Sequence, residues 1–389
     1  MTLQDNAENF STDLIAWQKT HGRHTLPWQN TRDAYRIWLS EIMLQQTQVA
    51  AVIPYYLKFL QRFPDVVTLA AAPTEDVMAH WSGLGYYSRA RNLHRCARQV
   101  VASYDGVFPD DPALLAELPG IGRSTAAAIA AFAYGTRAAI LDGNVKRVFA
   151  RVFGIDTYPG ERKTEQALWQ LAESLLPQPA LQSEKHSSLP SDMQSAMQAY
   201  TQGLMDLGAT LCTRSRPACE RCPLAERCIA LATGRVAELP IRKPKKTTPE
   251  KHAVMLVIVD RNQVLLARRP EQGIWGGLLS LPEPGGFTAI AHGAADADDT
   301  RTTMELIEQY VEPFGEFAAC QRLQPFSHGF THFKLHAVPF RVSLAQRRQA
   351  IGEISHVWVD IAQLDVAPLP APVRKLLSAL FRTDDLFAA

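Results

Sequence analysis

Four cysteines lie close together in the second half of the sequence and constrain it more than any other feature. Cys212, Cys219, Cys222 and Cys228 fall within seventeen residues, separated by six, two and five residues. A disulfide framework requires an oxidising compartment, and the first residues, MTLQDNAENF, contain no basic segment followed by an apolar stretch that would predict export. Four thiolates suit tetrahedral zinc and a [4Fe–4S] cluster equally well, so the spacing predicts a metal centre and leaves its kind open.

Length and composition indicate a globular protein of two or three domains. The chain has 389 residues, of which 47% are hydrophobic, and no apolar run approaches the roughly 18 residues of a membrane helix. We therefore expect a cytoplasmic protein. The net charge of +1 indicates no particular partner. The stretch from Arg89 to Arg98, however, is basic and follows Tyr86 and Tyr87, which is typical of a nucleic-acid-binding face, with a solvated helix side as the alternative.

The composition and the hydrophobic pattern of the sequence change along the chain and predict two modules. Residues 1–233 are rich in Ala and Leu and predict an all-α module. Residues 234–251 contain RKPKK and three prolines and predict a linker. Residues 252–365 predict an α+β module, with strands at 253–260, 263–269, 334–342 and 356–360. The polar, Pro/Ser-rich stretch 178–192 predicts an exposed loop.

A glycine-rich hairpin, Leu118-Pro119-Gly120-Ile121-Gly122, lies between helical patterns at 112–117 and 123–134. Glycine permits the positive φ that a tight turn requires. The turn also leaves backbone N–H groups open at the start of the following helix, where the helix dipole favours an anion. The motif therefore predicts a phosphate-binding hairpin, with a simple helix–helix turn as the alternative.

Three motifs together resemble the helix-hairpin-helix DNA glycosylases of the endonuclease III superfamily. They are LPGIGRSTA (118–126), LDGNVKRV (141–148) and the cysteine loop. The segments LPWQ, WLSEIMLQQTQV, GLGYYSRARNLH and CTRSRPAC are similar to one branch, the MutY adenine DNA glycosylases. The resemblance implies a [4Fe–4S] cluster on the four cysteines. It also implies a monomer that acts at the bacterial nucleoid on double-stranded DNA with adenine opposite 8-oxoguanine or guanine.

The resemblance implies that two carboxylates release the base. Cleavage of an N-glycosidic bond needs an acid to protonate the departing base and an anion to face the sugar cation. Glu41 is the implied acid; it lies outside the main apolar stripe of its helix, beside Ile37 and Leu44, and aliphatic surroundings would raise its pKa. Asp142 is the implied anion and a candidate N-cap, which would stay ionised at a helix N-terminus. Asn144 would orient it.

The superfamily's bifunctional members carry a catalytic lysine two residues after the second hairpin glycine. This chain has Ser124 at that position, and a hydroxyl cannot form the Schiff base that drives strand cleavage. The sequence therefore predicts a monofunctional glycosylase. Ser124 and Lys146 are assigned to DNA binding, together with Leu118, Gly120 and Gly122 of the hairpin.

A base that reacts outside the duplex must flip into a pocket of the enzyme, and another group must fill the space it leaves in the duplex. The resemblance implies that Trp28 and Gln202 line the adenine pocket. It also implies that Gln45, Gln46 and Thr47 contact the opposite base and that Tyr86 acts as the wedge beside it.

The C-terminal module resembles a Nudix domain through GIWGGLLSLPEP at 273–284. It lacks the REx2EE metal-binding motif, which Glu305 and Glu308 do not supply, so pyrophosphatase activity is not expected. In the family this domain recognises 8-oxoguanine through a Phe-Ser-His loop. The sequence contains a literal Phe326-Ser327-His328, but the spacing to the next strand favours Phe330, Thr331 and His332, and both assignments stay open.

The sequence thus predicts an adenine-specific DNA glycosylase that flips adenine and leaves an abasic site. Two other functions are considered. An endonuclease III-like glycosylase and AP lyase for oxidised pyrimidines is disfavoured by Ser124 and the appended domain. A non-catalytic lesion-binding protein is disfavoured by the retention of both Glu41 and Asp142.

Overall fold

A computed structural model describes residues 9–178, 189–243, 249–270, 273–284, 297–330, 332–348 and 355–381. The chain forms two compact units. One is drawn from Met1–Ala72 and Arg89–Pro244, and the other from Pro73–Ser88 and Lys245–Ala389. Among the residues described, no helix is both long enough and apolar enough to cross a membrane.

The described residues of the first unit form helices joined by turns and loops, without a strand, which confirms the predicted all-α module. A π-helical turn (Leu207–Leu211) and a 3-10 turn (Cys219–Arg221) precede its last helix. The α-helices described before residue 244 are α1 (Phe10–His21), α2 (Ala34–Leu44), α3 (Val49–Arg62), α4 (Val66–Ala71), α5 (Thr74–Trp81, in the second unit), α6 (Ser88–Tyr104), α7 (Pro112–Ala116), α8 (Arg123–Tyr134), α9 (Gly143–Val152), α10 (Arg162–Ser174), α11 (Leu189–Asp206) and α12 (Ile229–Ala232).

Aspartates begin several of these helices by accepting a hydrogen bond from a free first-turn N–H. Asp33 accepts from Tyr35 N (2.9 Å) at α2, and Asp142 accepts from Val145 N (2.8 Å) at α9. The alanine-rich α8 is almost wholly buried, and its small side chains allow α2 to approach closely. Edge-on packing of Phe10 against Phe149 (5.9 Å between centroids) fixes α9 to α1. Caps and core together position the start of α9, where Asp142 lies.

The region between the cysteine loop and the second unit remains folded on the first unit. Residues 234–243, which the sequence assigns to the linker, continue from α12, where Arg235 N donates to Ala230 O (2.8 Å). Leu239 is buried, and its carbonyl accepts from Arg151 Nε at 2.9 Å. The first strand of the second unit begins only at Glu250.

The predicted loop 178–192 is partly wrong. Helix α11 begins at Leu189, so the last residues of that stretch are helical. Pro190 fits in the first helical turn because the N–H that proline lacks would have no partner there. Residues 179–188 lie outside the described part of the chain.

The strands described in the second unit are β1 (Glu250–Asp260), β2 (Gln263–Arg268), β3 (Leu279–Ser280), β4 (Gly315–Arg322), β5 (Phe326–Gly329), β6 (Lys334–Arg347) and β7 (His356–Asp360). They form a mixed sheet of order β3-β2-β1-β6-β4, with β5 beside β6 and β7 beside β2. Strands β1 and β6 pair in parallel, in the register Glu250 to Lys334, and the other described pairs are antiparallel. The four predicted strands are confirmed, and β3, β4 and β5 were missed.

Two further helices complete this unit, α13 (Ala297–Val311) and α14 (Ala371–Phe381). Helix α13 covers one face of the sheet, where Ile307 packs against Leu256 of β1 and Phe340 of β6 in one apolar cluster. The segment 73–88 docks near α14 through Ser82, whose hydroxyl donates to Leu369 O (3.1 Å) and accepts from Arg374 (2.8 Å). These contacts explain why a segment from early in the chain belongs to the second unit.

Candidate functional site

A cavity of about 540 Å³ opens in the first unit and brings together residues that lie far apart in the sequence. Helix α2 contributes Ile37, Glu41 and Leu44, α11 contributes Gln202, and the segment before α2 contributes Trp28. Trp28 packs edge-on against Tyr56 at 5.4 Å, so one wall of the cavity is aromatic. The fold thus places the predicted acid and both predicted pocket residues around one space large enough for a small ring system.

Glu41 is the acidic group in the wall of this cavity. Burial raises the pKa of its carboxyl to about 8, and the negative charge of the nearby Asp142 contributes to the increase. The sequence predicted this direction from the aliphatic neighbours Ile37 and Leu44. Glu41 is therefore mostly protonated at neutral pH and can donate a proton to a group bound in the cavity.

Asp142 caps α9 as predicted, and its carboxylate faces two helix N–H groups. Its Oδ1 accepts from Val145 N (2.8 Å), and Asn144 Nδ2 lies 3.5 Å from its Oδ2. Burial raises the pKa of Asp142 above its usual value, whereas the helix N–H groups, Arg147 and Lys146 act to lower it. The sequence predicts only the effects that lower the pKa of Asp142. Its burial could not be predicted, because the groups that bury it come together only in the tertiary fold.

Arg147 was missed by the sequence reasoning and holds Asn144 in place. Its Nη2 donates to Asn144 Oδ1 and to Gly208 O, both at 2.7 Å, and its Nε donates to Cys212 O at 2.8 Å. A Cβ on Gly208 would lie 2.6 Å from the Asn144 Cβ, so glycine allows this close approach. Arg147 lies one helical turn after Asn144, on the same face, and this spacing was the available signal.

The predicted hairpin is confirmed between α7 and α8. Leu118 and Ile121 are buried and anchor it. Gly120 has a φ of 81°, and a Cβ there would lie 2.8 Å from the Asn92 Cβ, so only glycine fits. Gly122 occupies the N-cap of α8 without a side-chain cap and with open space around it. The first-turn N–H groups are thereby accessible to an anion, as predicted.

Ser124 and Lys146 both have structural partners. The Ser124 hydroxyl accepts from Leu141 N at 3.0 Å and so ties α8 to the residue before Asp142. The Lys146 ammonium group forms an ion pair with Glu165. The hydroxyl takes the place of the amine that Schiff-base chemistry would require.

Gln45, Gln46 and Thr47 follow the C-terminal end of α2, and a buried arginine holds them there. Arg89 Nη1 donates to the carbonyls of Ile42 (2.9 Å) and Gln45 (2.6 Å), and its Nη2 donates to the Thr47 hydroxyl (3.0 Å). The Gln45 amide lies 3.5 Å from the Thr125 hydroxyl. Gln46 is exposed and has a positive φ of 59°. This turn therefore presents an amide side chain to solvent from a fixed backbone.

The predicted basic face is wrong for two of its members. Arg89 is only 8% exposed and His94 only 3%, because Arg89 satisfies backbone carbonyls of α2 instead of facing solvent. Arg95 and Arg98 remain exposed. Tyr86 belongs to the second unit, where it is 48% exposed with a φ of 49°.

The four cysteines of the loop line one small cavity, together with the buried Arg151. None of them forms a disulfide. Burial raises the pKa of Cys222 to about 12, and neighbouring cysteines add to the increase. Arg151 Nη1 lies 3.4 Å from Cys212 Sγ. Among the described residues, no three His, Cys, Asp or Glu side chains are placed to bind a single metal ion.

The two candidate triplets of the second unit occupy different structures. Phe326, Ser327 and His328 lie within β5, where Ser327 Oγ is 3.0 Å from His336 Nδ1. Phe330 and His332 lie in the turn between β5 and β6, and Thr331 falls outside the described residues. The Phe330 N–H donates to Phe333 O at 2.8 Å, which closes the turn, and His332 is exposed. Phe330 and His332 of the second triplet therefore lie outside the strands, whereas the first triplet is part of a strand.

Trp275 supports this turn and was missed by the sequence reasoning. Its ring lies 5.5 Å from Phe330 and 6.1 Å from His328, and Phe330 stacks on Phe333 at 4.6 Å. Trp275 is buried and has a φ of 55°, which is unusual for a bulky residue and costs energy. Its contacts with the turn give a reason for retaining this strained conformation. The neighbouring glycines, Gly273 and Gly277, were the available signal.

Comparison with known proteins finds matches to both units. The family described as HhH-GPD superfamily base excision DNA repair protein matches residues 39–174, and the NUDIX domain family matches residues 253–379. Both matches agree with the predicted fold class, an all-α helix-hairpin-helix module followed by an α+β Nudix-like module.

The full-length relatives and a solved structure extend this likeness. An adenine DNA glycosylase of Buchnera aphidicola subsp. Acyrthosiphon pisum is 34% identical, covering 95% of this chain and 96% of the relative. One from Mus musculus is 30% identical, covering 94% and 77%. The structure of a thermostable thymine-DNA glycosylase is 29% identical, with a TM-score of 0.50, covering 59% of this chain and 98% of that one.

Proposed function

The chain belongs to the adenine DNA glycosylase family, and on that premise we propose that it excises adenine from double-stranded DNA in base excision repair. It hydrolyses the N-glycosidic bond and leaves an abasic site. The observation that carries the proposal is Glu41, which lines the cavity, is mostly protonated at neutral pH and lies close enough to Asp142 for the charge of Asp142 to raise its pKa. An acid and an anion close together are the two groups that glycosidic cleavage requires.

Glu41 donates its proton to a ring nitrogen of adenine as the bond to the sugar breaks. The departing base then leaves neutral, which lowers the barrier to cleavage. Asp142 lies across from the developing oxocarbenium ion and stabilises its positive charge until water adds. Asn144 and Arg147 hold the Asp142 carboxylate in its orientation through the 2.7 Å hydrogen bond between them.

The same cavity recognises the flipped base. Trp28, held by its edge-on contact with Tyr56, supplies an aromatic wall that suits a purine ring. Gln202 supplies the polar atoms that face the base. We assign Gln46, which the Arg89-anchored turn presents to solvent, to the base opposite adenine, together with Gln45 and Thr47. Tyr86, exposed in the second unit, is assigned as the wedge.

DNA is held by the hairpin, where Gly120 and Gly122 leave backbone N–H groups open to a phosphate. The backbone at Leu118 and the first turn of α8 around Ser124 complete that contact. Lys146 adds a positive charge near the N-terminus of α9, although Glu165 pairs with it in the free protein. A phosphate contact of this kind positions the duplex without reading its sequence.

The four cysteines fit a [4Fe–4S] cluster. They line one cavity, they are free thiols, and their burial disfavours isolated thiolates unless a metal group compensates the charge. Cys212, Cys219, Cys222 and Cys228 would hold the cluster, whose iron–thiolate bonds would tie the loop together. Arg151 adds a positive charge beside Cys212, and Arg147 connects the Cys212 carbonyl to Asn144.

A test of the proposed function measures single-turnover base release from a duplex with adenine opposite 8-oxoguanine, with each sample divided between alkali treatment and none. We expect strand breaks mainly after alkali, because an abasic site is cleaved by base whereas Ser124 forms no Schiff base. Comparable breaks without alkali would identify a lyase. Release of oxidised pyrimidines but not adenine would favour the endonuclease III-like function, and binding without release would favour a lesion-binding protein.

The rate of adenine release should fall on both sides of a pH optimum. Glu41 acts as an acid only while protonated, so the rate decreases as the pH rises through its pKa of about 8. Asp142 acts only while ionised, so the rate also decreases on the acid side, at a higher pH than an ordinary aspartate would give. Single-turnover rates between about pH 5 and pH 10 measure both limbs. A rate that stays constant well above pH 8 would exclude Glu41 as the acid.

The turn between β5 and β6 is proposed to recognise 8-oxoguanine opposite adenine. Phe330 and His332, which flank Thr331 in the sequence, lie at this turn, and Phe330 packs against the buried Trp275. The alternative triplet around Ser327 is part of a paired strand, which leaves its backbone less free to approach a base. A loop residue is better placed to insert beside a base than a strand residue.

Matched alanine variants distinguish the two triplets, since each begins with a phenylalanine. We expect Phe330→Ala to reduce the preference for 8-oxoguanine over guanine by about tenfold, the effect of a stacking contact worth roughly 1–3 kcal/mol. Phe326→Ala should leave the preference unchanged. The measurement is the ratio of adenine-release rates from the two duplexes. The reverse result would assign recognition to the triplet in β5.

A further inference from the structure

Asp206 is a buried carboxylate that accepts hydrogen bonds from two residues of the cavity wall, Arg23 and Gln202, and nothing in the glycosidic chemistry accounts for it. It lies at the end of α11 and is 0% exposed. Its Oδ2 accepts from the Arg23 backbone N–H at 2.8 Å, and its Oδ1 accepts from Arg23 Nε at 2.7 Å. A buried charge is costly unless it is paired, and here the Arg23 guanidinium provides the pairing.

Gln202 lies one helical turn before Asp206 and shares this network. Its Nε2 donates to Asp206 Oδ1 at 2.8 Å. Within the described residues, Asp206 is the hydrogen-bond partner of the Gln202 amide. A carboxylate can only accept hydrogen bonds, so the amide nitrogen must face Asp206 and the carbonyl oxygen must point away from it. Asp206 thereby leaves the carbonyl oxygen of the Gln202 amide available to a bound group. Gln202 and Arg23 both line the cavity.

We propose that Asp206 is a positioning residue that sets the selectivity of the cavity for a 6-amino purine over a 6-oxo purine. It does so by holding the Gln202 Oε1 available as an acceptor. Adenine carries a donor amino group at C6, which complements that oxygen, whereas hypoxanthine carries an acceptor oxygen there, which the Gln202 carbonyl repels. The inference rests on the proposed function, because it assumes that the base enters this cavity.

The decisive variant is Asp206→Asn, which keeps the shape of the side chain. Its amide can donate to Gln202 Oε1, so the Gln202 amide can turn over and present its N–H groups to the base. We expect the ratio of adenine to hypoxanthine release to fall about tenfold or more, the loss of one oriented hydrogen bond. Single-turnover rates are measured with each base opposite 8-oxoguanine, which keeps the partner base constant.

A matched control lies in the same segment. The Thr210 hydroxyl donates to the main-chain carbonyl of Asp206 at 2.8 Å, so Thr210→Val removes a hydrogen bond to this residue but leaves the carboxylate network intact. The ratio of adenine to hypoxanthine release by Thr210→Val should equal that of the wild type. A purely structural Asp206 would instead slow the release of both bases equally in Asp206→Asn, and that result would overturn the proposal.

A second variant keeps the test decisive if Asp206→Asn folds poorly. Gln202→Leu removes the oriented amide, so the ratio should fall in this variant, and adding Asp206→Asn should change it no further. An unchanged ratio in Gln202→Leu would overturn the proposal. If the wild-type protein released no adenine, the proposed function itself would be contradicted. The rate of adenine release by the wild-type enzyme therefore tests the proposed function separately from the role of Asp206.

Discussion

Replacement of Glu41 by glutamine will slow adenine release by roughly 10²–10⁴-fold, the usual contribution of a general acid, and leave DNA affinity nearly unchanged. The two effects separate because of the protonation state of Glu41. Its pKa of about 8 means that the side chain is uncharged at neutral pH. Glutamine resembles that neutral acid in shape and charge but has no proton to transfer. The variant therefore removes the chemistry and preserves the surface that DNA meets.

The measurement pairs single-turnover release with equilibrium binding on one duplex containing adenine opposite 8-oxoguanine. Glu161→Gln is a matched control, because Glu161 is an exposed N-cap residue of α10 whose side chain makes no capping hydrogen bond. It should keep both rate and affinity. Base release at the wild-type rate by Glu41→Gln would remove Glu41 from the mechanism. A parallel loss of affinity would instead indicate a binding role.

Replacement of Cys222 by alanine will abolish binding of the proposed [4Fe–4S] cluster and, with it, DNA binding and base release. Cys222 is the most strongly perturbed thiol of the loop, and burial raises its pKa to about 12. With one ligand missing, the loop loses the bonds that close it between Cys212 and Cys228. Arg147 and Arg151 both bond to the backbone of this loop, so its loss also loosens Asn144. The loss of Cys222 should therefore also disturb the orientation of Asp142, through Arg147 and Asn144.

Iron and sulfide content, together with visible absorbance, test this directly. We expect about four iron and four sulfide per wild-type chain and far less in Cys222→Ala. Cys320→Ala is the control, because Cys320 lies on β4 in the second unit, away from the loop in sequence. It should keep the iron. Stoichiometric zinc without sulfide in the wild-type protein would contradict the cluster and support the tetrahedral alternative.

Local sequence patterns were sufficient for much of the fold. The helices around the hairpin and four strands follow from periodicity and turn residues, which depend on neighbours a few positions apart. Strand β4 was missed because most of its residues are exposed, which leaves a weak alternation of apolar and polar side chains. The start of α11 was missed because Pro190 and polar residues are typical of loops and are tolerated equally in a first helical turn.

Residues of the candidate site could be predicted only where they belong to a recognisable sequence motif. Glu41 and Asp142 came from segments whose motifs resemble a family, and the structure places both with the pKa of each carboxyl raised. Arg89 was assigned to a solvent-facing stretch, although its partners are carbonyls of a helix more than forty residues earlier. Nothing near Arg89 in sequence indicates that those carbonyls lack partners.

The sequence by itself determined the residue types available for chemistry: two carboxylates, a serine in place of a lysine, and four closely spaced cysteines. Those identities decide which reactions are possible. Only the tertiary structure decided the protonation of Glu41 and the orientation of Gln202, because desolvation and pairing depend on groups far away in the chain. A pKa or an amide orientation is a property of the surrounding space, and that space exists only after distant segments have packed together.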